Sequence, residues 1–475
     1  MGSRSNFLRG PLVAGAFVAL ALPGAVAAAE PADDVNQSGG EPLQLAAKRD
    51  GKVEKLAPIA VTGTPIPGDP LLQAADVDVV QTPEKERVEL TSLGESLDQL
   101  AGVNNIATGN QTGKPVIRGL SGERVKVLTD GIGVDHQQFG VRHMPTIDPF
   151  LAGRLEVVRG ANSVLYGSSA LGGAVNVLAP PVPFDSPLTG EFLTRYSGNN
   201  EQWDTGIKAG AGSEHFGFNA GLIRRSAENI ETPDEPAFFP PPPSDPANRD
   251  APAYTGELGF TDFEQINGQL AGGWKSDAYG TWTARYTRWD DEHNFLLPPP
   301  AGMLPPPAGE EGIGQYIEND QLQLTGDVAG EGIRWKPTLL WQNNRRRSNA
   351  AGNARQRGFD GEIDIEFDQY TARLEGLHGP VLGLDGGTVG VEYVTKDQVS
   401  RGNTQLSPGA MWTTSRCLPS KRRASVRCCC RPVCAMTIAK SRVGPPRPKT
   451  RRQTWSTRRA TTTAYSPDRS AARCV

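Results

Sequence analysis

The chain has 475 residues, 21% of them charged, a formal net charge of -4 and a hydrophobic share of 37%. It is too long for one ordinary domain and too balanced in charge to suggest nucleic acid as a partner. A helical transporter is excluded because it would need several long apolar runs, and this sequence has one, at its start.

That run places Arg4 and Arg9 before an apolar stretch from Pro11 to Leu22, followed by the small residues Ala25, Ala27 and Ala29. Residues 1–29 are therefore predicted to be a secretory signal peptide. A membrane anchor is disfavoured by the shortness of the stretch and by Pro23 and Gly24. Residues 30–56 are polar and contain Pro and Gly, as a flexible segment does, and they lead into APIAVTGTP at 57–65. Ile59, Val61 and Thr62 are β-formers, so this island can add as a strand to the edge of a partner's sheet.

Residues 66–182 read as an α+β domain. Leu93, Leu97 and Leu100 fall at helical spacing, with Thr91 or Ser92 as N-cap and Glu95 in the first turn, which predicts a short amphipathic helix over Leu90 to Leu100. PVIRGL (115–120), ERVKVLTDGI (123–132) and RLEVVRGANSVLYGSSALGGAVNVL (154–178) are β-rich with glycine punctuation and are expected to pair as one small mixed sheet.

This series, with its RG, DG, EVVRG, LYG and GGAVNV steps, resembles the plug domain of TonB-dependent outer-membrane receptors. The resemblance is close over Ile59 to Leu178 and is one of architecture only further on. It implies an α+β plug domain followed by an antiparallel transmembrane β-barrel in the outer membrane. IAVTG, with Ile59, Ala60, Val61 and Thr62, stands where the family carries its TonB box, so the implied partners are TonB with its inner-membrane energising complex and the outer-membrane lipid. Arg118 and Arg159 are expected to pair with barrel carboxylates and to lock plug to barrel until TonB pulls.

Residues 183–414 alternate as barrel strands do. Trp282, Ala284 and Tyr286 oppose Thr281, Thr283 and Arg285; Ile333, Trp335, Leu339 and Trp341 oppose Arg334, Lys336, Thr338 and Gln342; Ile363, Ile365 and Phe367 oppose Asp364, Glu366 and Asp368. Val389, Val391 and Tyr393 form a further apolar face. Connections are tight near Ser213, Ser276 and Ala329, but long and Pro-rich at 228–262 and 291–316, the rhythm of periplasmic turns and outer loops. At roughly ten residues per strand, Glu191 to Ser400 holds about nine strands. That is an incomplete barrel by the family's measure, and an open sheet edge in lipid leaves backbone groups unpaired, so this product is not expected to insert as a working receptor.

Residues 415–475 lose all strand or helix period and gather all six cysteines, three of them consecutive at Cys428, Cys429 and Cys430. That spacing gives neither a disulfide framework nor a zinc site. Stepping the codons of Pro419 to Val443 back by one base, with GC-rich wobble choices, yields AFEEARVGAVLLQAGVRYDDREVAG, which reads as barrel strands and a turn. An out-of-frame, disordered tail is the resulting expectation.

For the ligand, VDHQQFGVRHMPTIDPF sets Asp135, His136, His143 and Asp148 in what the family would make an outward-facing plug loop, while Asp290, Asp291, Glu292 and His293 begin a long loop from the barrel side. Imidazole and carboxylate suit Zn, Ni or Fe. The expectation is import of a small metal or metal-chelate ligand, zinc or a ferric siderophore, with cobalamin, haem or an oligosaccharide left open. No resident cofactor is expected, and the absence of a nucleophile elbow, phosphate loop or compact Cys/His cluster argues against an enzyme. The rival reading is a passive outer-membrane porin or adhesin, which would have neither box nor plug.

Overall fold

The computed structural model describes residues 76–80, 91–107, 112–133, 144–159, 170–231, 257–258, 260–296, 312–350, 361–379, 386–404, 410–422 and 435–436. The predicted signal peptide, the flexible segment and residues 57–65 lie outside the described residues.

The first element is β1 (Asp76–Val80), and the apolar strands that follow assemble around it. It pairs antiparallel with β6 (Arg154–Arg159), and β6 in turn with β7 (Gly173–Leu178). β7 runs parallel to β4 (Val125–Thr129), which closes a hairpin with β5 (Ile132–Gly133). The strand order is β1-β6-β7-β4-β5, a small mixed sheet that takes in strands from 123–132 and 154–178 as expected but leaves out 115–120. A separate hairpin joins β2 (Val103–Ile106) to β3 (Lys114–Ile117). Val80, Leu93, Leu97, Val103, Ile117, Val127, Leu155, Val157 and Val175 form the core under the sheet. Strands β4, β6 and β7 are buried on both faces, with Lys126, Glu156 and Asn176 buried among their apolar residues.

The predicted helix is shorter than expected. One 3₁₀ turn forms at Glu95–Leu97 with Gly94, not Thr91 or Ser92, as its N-cap; just ahead of it the Glu95 N–H donates to Ser92 Oγ at 3.3 Å and the Thr91 N–H donates to the Glu95 carboxylate at 3.1 Å. At Gly94 the chain passes so close to the β2–β3 hairpin that a Cβ there would lie 2.6 Å from the Lys114 backbone nitrogen. Leu93 and Leu97 are buried all the same.

From Ser186 the chain turns into a large antiparallel sheet. Its strands are β8 (Ser186–Ser197), β9 (Gln202–Gly212), β10 (Phe216–Ala227), then, after the two-residue strands β11 (Ile230–Glu231) and β12 (Glu257–Leu258), β13 (Phe263–Ser276) and β14 (Gly280–Leu296). It continues with β15 (Gly312–Ala329), β16 (Ile333–Ser348), β17 (Ile363–His378), β18 (Gly386–Ser400), β19 (Ala410–Arg422) and β20 (Ala435–Met436). Neighbours in sequence are neighbours in the sheet, whose edges among the described residues are β8 and β20.

Alternation predicts the faces of β14 and β16. Tyr286 and Leu339 are exposed on the outside while Thr338 and Gln342 are buried inside. One outer row, paired strand to strand, reads Leu270, Tyr286, Leu322, Trp341 and Tyr370. The next row towards the long loops reads Gly268, Arg288, Asp320, Asn343 and Asp368. The change from an apolar to a charged outer surface within one pair of residues marks where the lipid-facing band ends.

That boundary corrects two expectations. On β17 the residues Ile363, Ile365 and Phe367 share the inner face with Gln369 and Thr371, while Asp364, Glu366 and Asp368 point outward; above the apolar band the outer face meets water and the apolar residues pack inward. The strands also run into the expected loop at 291–316, since β14 continues to Leu296 and β15 begins at Gly312. At the other end, β19 stays paired with β18 as far as Arg422, past the boundary expected after residue 414. Main-chain ladders do not need side-chain alternation, so pairing continues where the sequence pattern has stopped.

Candidate functional site

The plug meets the wall of the sheet through two anchors. The first is the knob DPFL, Asp148 to Leu151, at the end of the segment leading into β6. Asp148 Oδ1 accepts from its own knob, the Phe150 N–H, at 2.9 Å and from Arg225 Nη2 at 2.8 Å; Oδ2 accepts from Asn267 Nδ2 at 2.8 Å. The Arg225 and Asp148 side chains are 2% and 1% exposed, so this ion pair is out of water. Phe150 and Leu151 pack with Ile223 and Leu193 of the wall, and Lys208 Nζ sits 3.9 Å above the Phe150 ring. Two wall glycines make room for them: a Cβ on Gly206 would lie 2.7 Å from the Phe150 ring, and one on Gly221 would lie 2.7 Å from Leu151 Cδ2.

Polar contacts continue from the knob through the wall. Arg225 Nη1 lies 3.5 Å from Asp204, which also accepts from Arg195 Nε at 2.7 Å and from Gln202 Nε2 at 2.8 Å. Arg195 and Gln202 then both donate to Thr91 Oγ1, at 3.0 and 2.8 Å. Asp148 and Thr91, on separate segments of the plug, are thus joined through side chains of β8, β9 and β10. The Glu95 carboxyl beside this chain is raised above the usual range, chiefly by burial.

The second anchor is the DG turn between β4 and β5. Asp130 takes a positive φ of 47°, accepts from Arg285 Nη1 at 2.9 Å and accepts from the Ala179 N–H at 3.0 Å. Arg285 also donates to the Pro180 carbonyl at 2.8 Å, and Arg373 on β17 donates to the Gly131 carbonyl at 2.9 Å. Between the anchors lies a cleft lined by Asp148 and Thr129 from the plug and by Gln269, Arg285, Trp289 and Gln321 from the wall.

The plug supplies carboxylates and carbonyls, and the wall supplies arginines. Arg159 bonds Asp78 on β1, so this ion pair lies within the plug sheet. Arg118 is an exposed turn residue at φ 51° whose N–H donates to the Gly102 carbonyl at 3.0 Å.

Of the expected metal ligands, Asp148 and His293 fall among the described residues. Asp135, His136 and His143 lie outside the described residues. Asp148 spends both carboxylate oxygens on the Phe150 N–H and on Arg225 and Asn267 of the wall. His293 is buried on the inner face of β14 with Nδ1 against Asp291, while Asp290 and Glu292 fall on the outer face, because a strand separates alternate residues. Among the described residues no three His, Cys, Asp or Glu side chains gather as a metal would require.

Arg195, Asp204 and Arg225 escaped the sequence reading, although Arg225 is opposite in parity to the apolar Phe216, Phe218 and Leu222 and so could have been placed on the inner face.

Comparison with known proteins agrees with this arrangement. Residues 71–174 match the model of the TonB-dependent receptor plug domain. Over 106 residues, 22% of this chain and 17% of the relative, the sequence is 35% identical to the vitamin B12 transporter BtuB of Vibrio cholerae. The fold matches the hemophore receptor HasR of Serratia marcescens with a TM-score of 0.55 at 13% identity, over 73% of this chain and 49% of that one. It also matches the iron transporter FrpB of Neisseria meningitidis, with a TM-score of 0.54 at 12% identity, over 72% and 55%. The chain thus spans about half the length of these solved receptors and aligns with a smaller part of BtuB. The chain carries the plug domain of TonB-dependent receptors over residues 71–174, set against consecutive antiparallel strands that have the fold of these receptors' barrel wall.

Proposed function

We propose that this protein is a gated importer of a scarce nutrient, a metal ion or metal chelate such as zinc or a ferric siderophore, driven by energy that TonB transmits. The observation that carries this reading is the buried Asp148–Arg225 pair, which holds the plug against the wall and has to be released before anything passes. Substrate engages the outer side of the plug, residues 57–65 are freed to the periplasm, and TonB pairs with Ile59, Ala60, Val61 and Thr62 and pulls. Asp148 acts as a latch on the path of that pull, with Asp130 as the second holding point. Likeness of the plug to BtuB adds cobalamin to the candidate cargoes. A passive porin or adhesin has no use for a plug held by buried charges.

Uptake of labelled zinc, ferric siderophore and cobalamin into cells carrying the gene, with and without residues 57–65 and with and without TonB, tests the reading. Loss of uptake of one of them in both deletions supports it. Equal uptake in all backgrounds contradicts it.

A further inference from the structure

Residues 180–184, PPVPF, join the plug to the wall and lie in a groove on the inner face of the sheet. Three glycines stand in register along it, Gly212 on β9, Gly217 on β10 and Gly273 on β13. A Cβ on Gly212 would lie 3.0 Å from Phe184 Cα, one on Gly217 2.9 Å from Val182 Cγ1, and one on Gly273 2.9 Å from Phe184 Cζ. None of the three takes a positive φ, so the groove needs their lack of a side chain and not their backbone freedom.

Polar groups of the next inner row hold the same segment. Asn219 Nδ2 donates to the Pro180 and Pro181 carbonyls at 3.2 and 3.0 Å, and Arg285 Nη2 donates to the Pro180 carbonyl at 2.8 Å. The Asp185 N–H donates to the Ser213 carbonyl at 3.1 Å, which ties the far end to the turn between β9 and β10. Pro180, Pro181 and Pro183 fix their own φ and stiffen the segment, and Val182 is buried in the groove.

The plug's other grips, at Thr91, Asp130, Gly131 and the Asp148 knob, all precede this segment in the chain. Each fastens a separate point of the plug, whereas the groove seats consecutive residues backbone against backbone. At the opposite end of the domain, β1 stands at the edge of its sheet, paired with β6. An edge strand has one ladder to break, while the seated segment must lose its groove, Asn219, Arg285 and Ser213 together.

We propose that residues 180–184 are a fixed strap, which stays on the wall while the plug ahead of it is detached, so that the plug opens from the side of β1 and does not leave as one body. Assigning the detaching force to TonB rests on the importer reading; the order of detachment does not.

Hydroxyl-radical footprinting of the full chain in detergent along a urea series tests the strap. Leu155 and Val157, both 0% exposed, report on the plug core, and Val182 and Phe184 report on the strap. In the wild type a urea concentration is expected at which oxidation of Leu155 and Val157 has risen at least threefold while Val182 and Phe184 keep their native rates. In Gly217→Val the strap residues should be oxidised at or below the urea concentration that exposes the core. Should that variant fail to fold, Asn219→Ala removes two hydrogen bonds and should expose the strap at lower urea than in the wild type, with Leu155 and Val157 unchanged. Gly272→Ala, on the outer face, should keep the wild-type order. Exposure of strap and core together in the wild type, or strap exposure unchanged by Asn219→Ala, overturns the proposal. Joint exposure alongside TonB-dependent uptake would sink the strap alone, whereas separate exposure without such uptake would sink the importer alone.

Discussion

The inner and outer faces of the same strands treat charge differently, and the difference separates holding from display. On the outside, Arg288, Arg345 and Arg347 form ion pairs with neighbouring strands above the apolar band, and these pairs remain partly in water. On the inside, Arg225 and Asp148 meet almost without solvent, across the boundary between wall and plug. Exposed pairs contribute up to about 1 kcal/mol each, whereas loss of one partner from a buried pair leaves a charge stranded at a cost of roughly 3–5 kcal/mol. Similar residues can therefore tile a surface or fasten a plug, according to which face of a strand they occupy.

The largest expected effect follows from breaking the inner pair. Asp148→Ala should weaken the docked plug by about 3–5 kcal/mol, seen as a lower denaturant midpoint and faster proteolysis of the plug. Replacing both partners, Asp148→Leu with Arg225→Met, should cost far less, because no charge is left stranded. If the single substitution were as mild as an outer one, the contrast between faces would fail.

Next in size is the notch for the knob. Gly206→Val places side-chain atoms where the Phe150 ring now lies and should destabilise docking by roughly 1–3 kcal/mol. Gly272, whose added Cβ would meet nothing, is the control: Gly272→Ala should change the midpoint little.

Proton linkage at Lys114 gives a further difference. The folded state releases this proton at about 8, the unfolded chain near 10.5. Between those values the unfolded state binds more protons, so this group's contribution to stability rises with pH across the window and is unfavourable below it. Melting temperatures of wild type and Lys114→Met should therefore lie further apart at pH 7 than at pH 10. A gap that widened with pH would contradict the linkage. The smallest effect belongs to the outer face: Arg345→Ala should shift stability by no more than about 1 kcal/mol, and less in high salt.

Much of the framework was legible in the sequence because its signals are local. Leu339 and Trp341 against Thr338 and Gln342 state the two faces of β16 without help from the rest of the chain, and the glycine-marked segments 123–132 and 154–178 state strands of the plug sheet. The sign of the β17 faces was not legible, since alternation shows that two faces differ but not which meets lipid, and the upper strand stands above the apolar band. Nor was the latch. Arg225 and Asp148 are 77 positions apart, and Arg285 and Asp130 are 155 apart, so only the fold reveals that the wall supplies the cations. The Asp148 that seemed a metal ligand beside His143 is chemically the same carboxylate; its partner decides its role.

The central claim is that Asp148 and Arg225 hold the plug as a pair, and a double-mutant cycle tests it most directly. Wild type, Asp148→Asn, Arg225→Gln and the double variant would be compared by denaturant midpoint and by hydrogen exchange at the knob. The account predicts a coupling of about 2–3 kcal/mol, with the double variant no worse than either single one. Additive single effects, with coupling near zero, would show that the two side chains act independently and that the plug is held by something else.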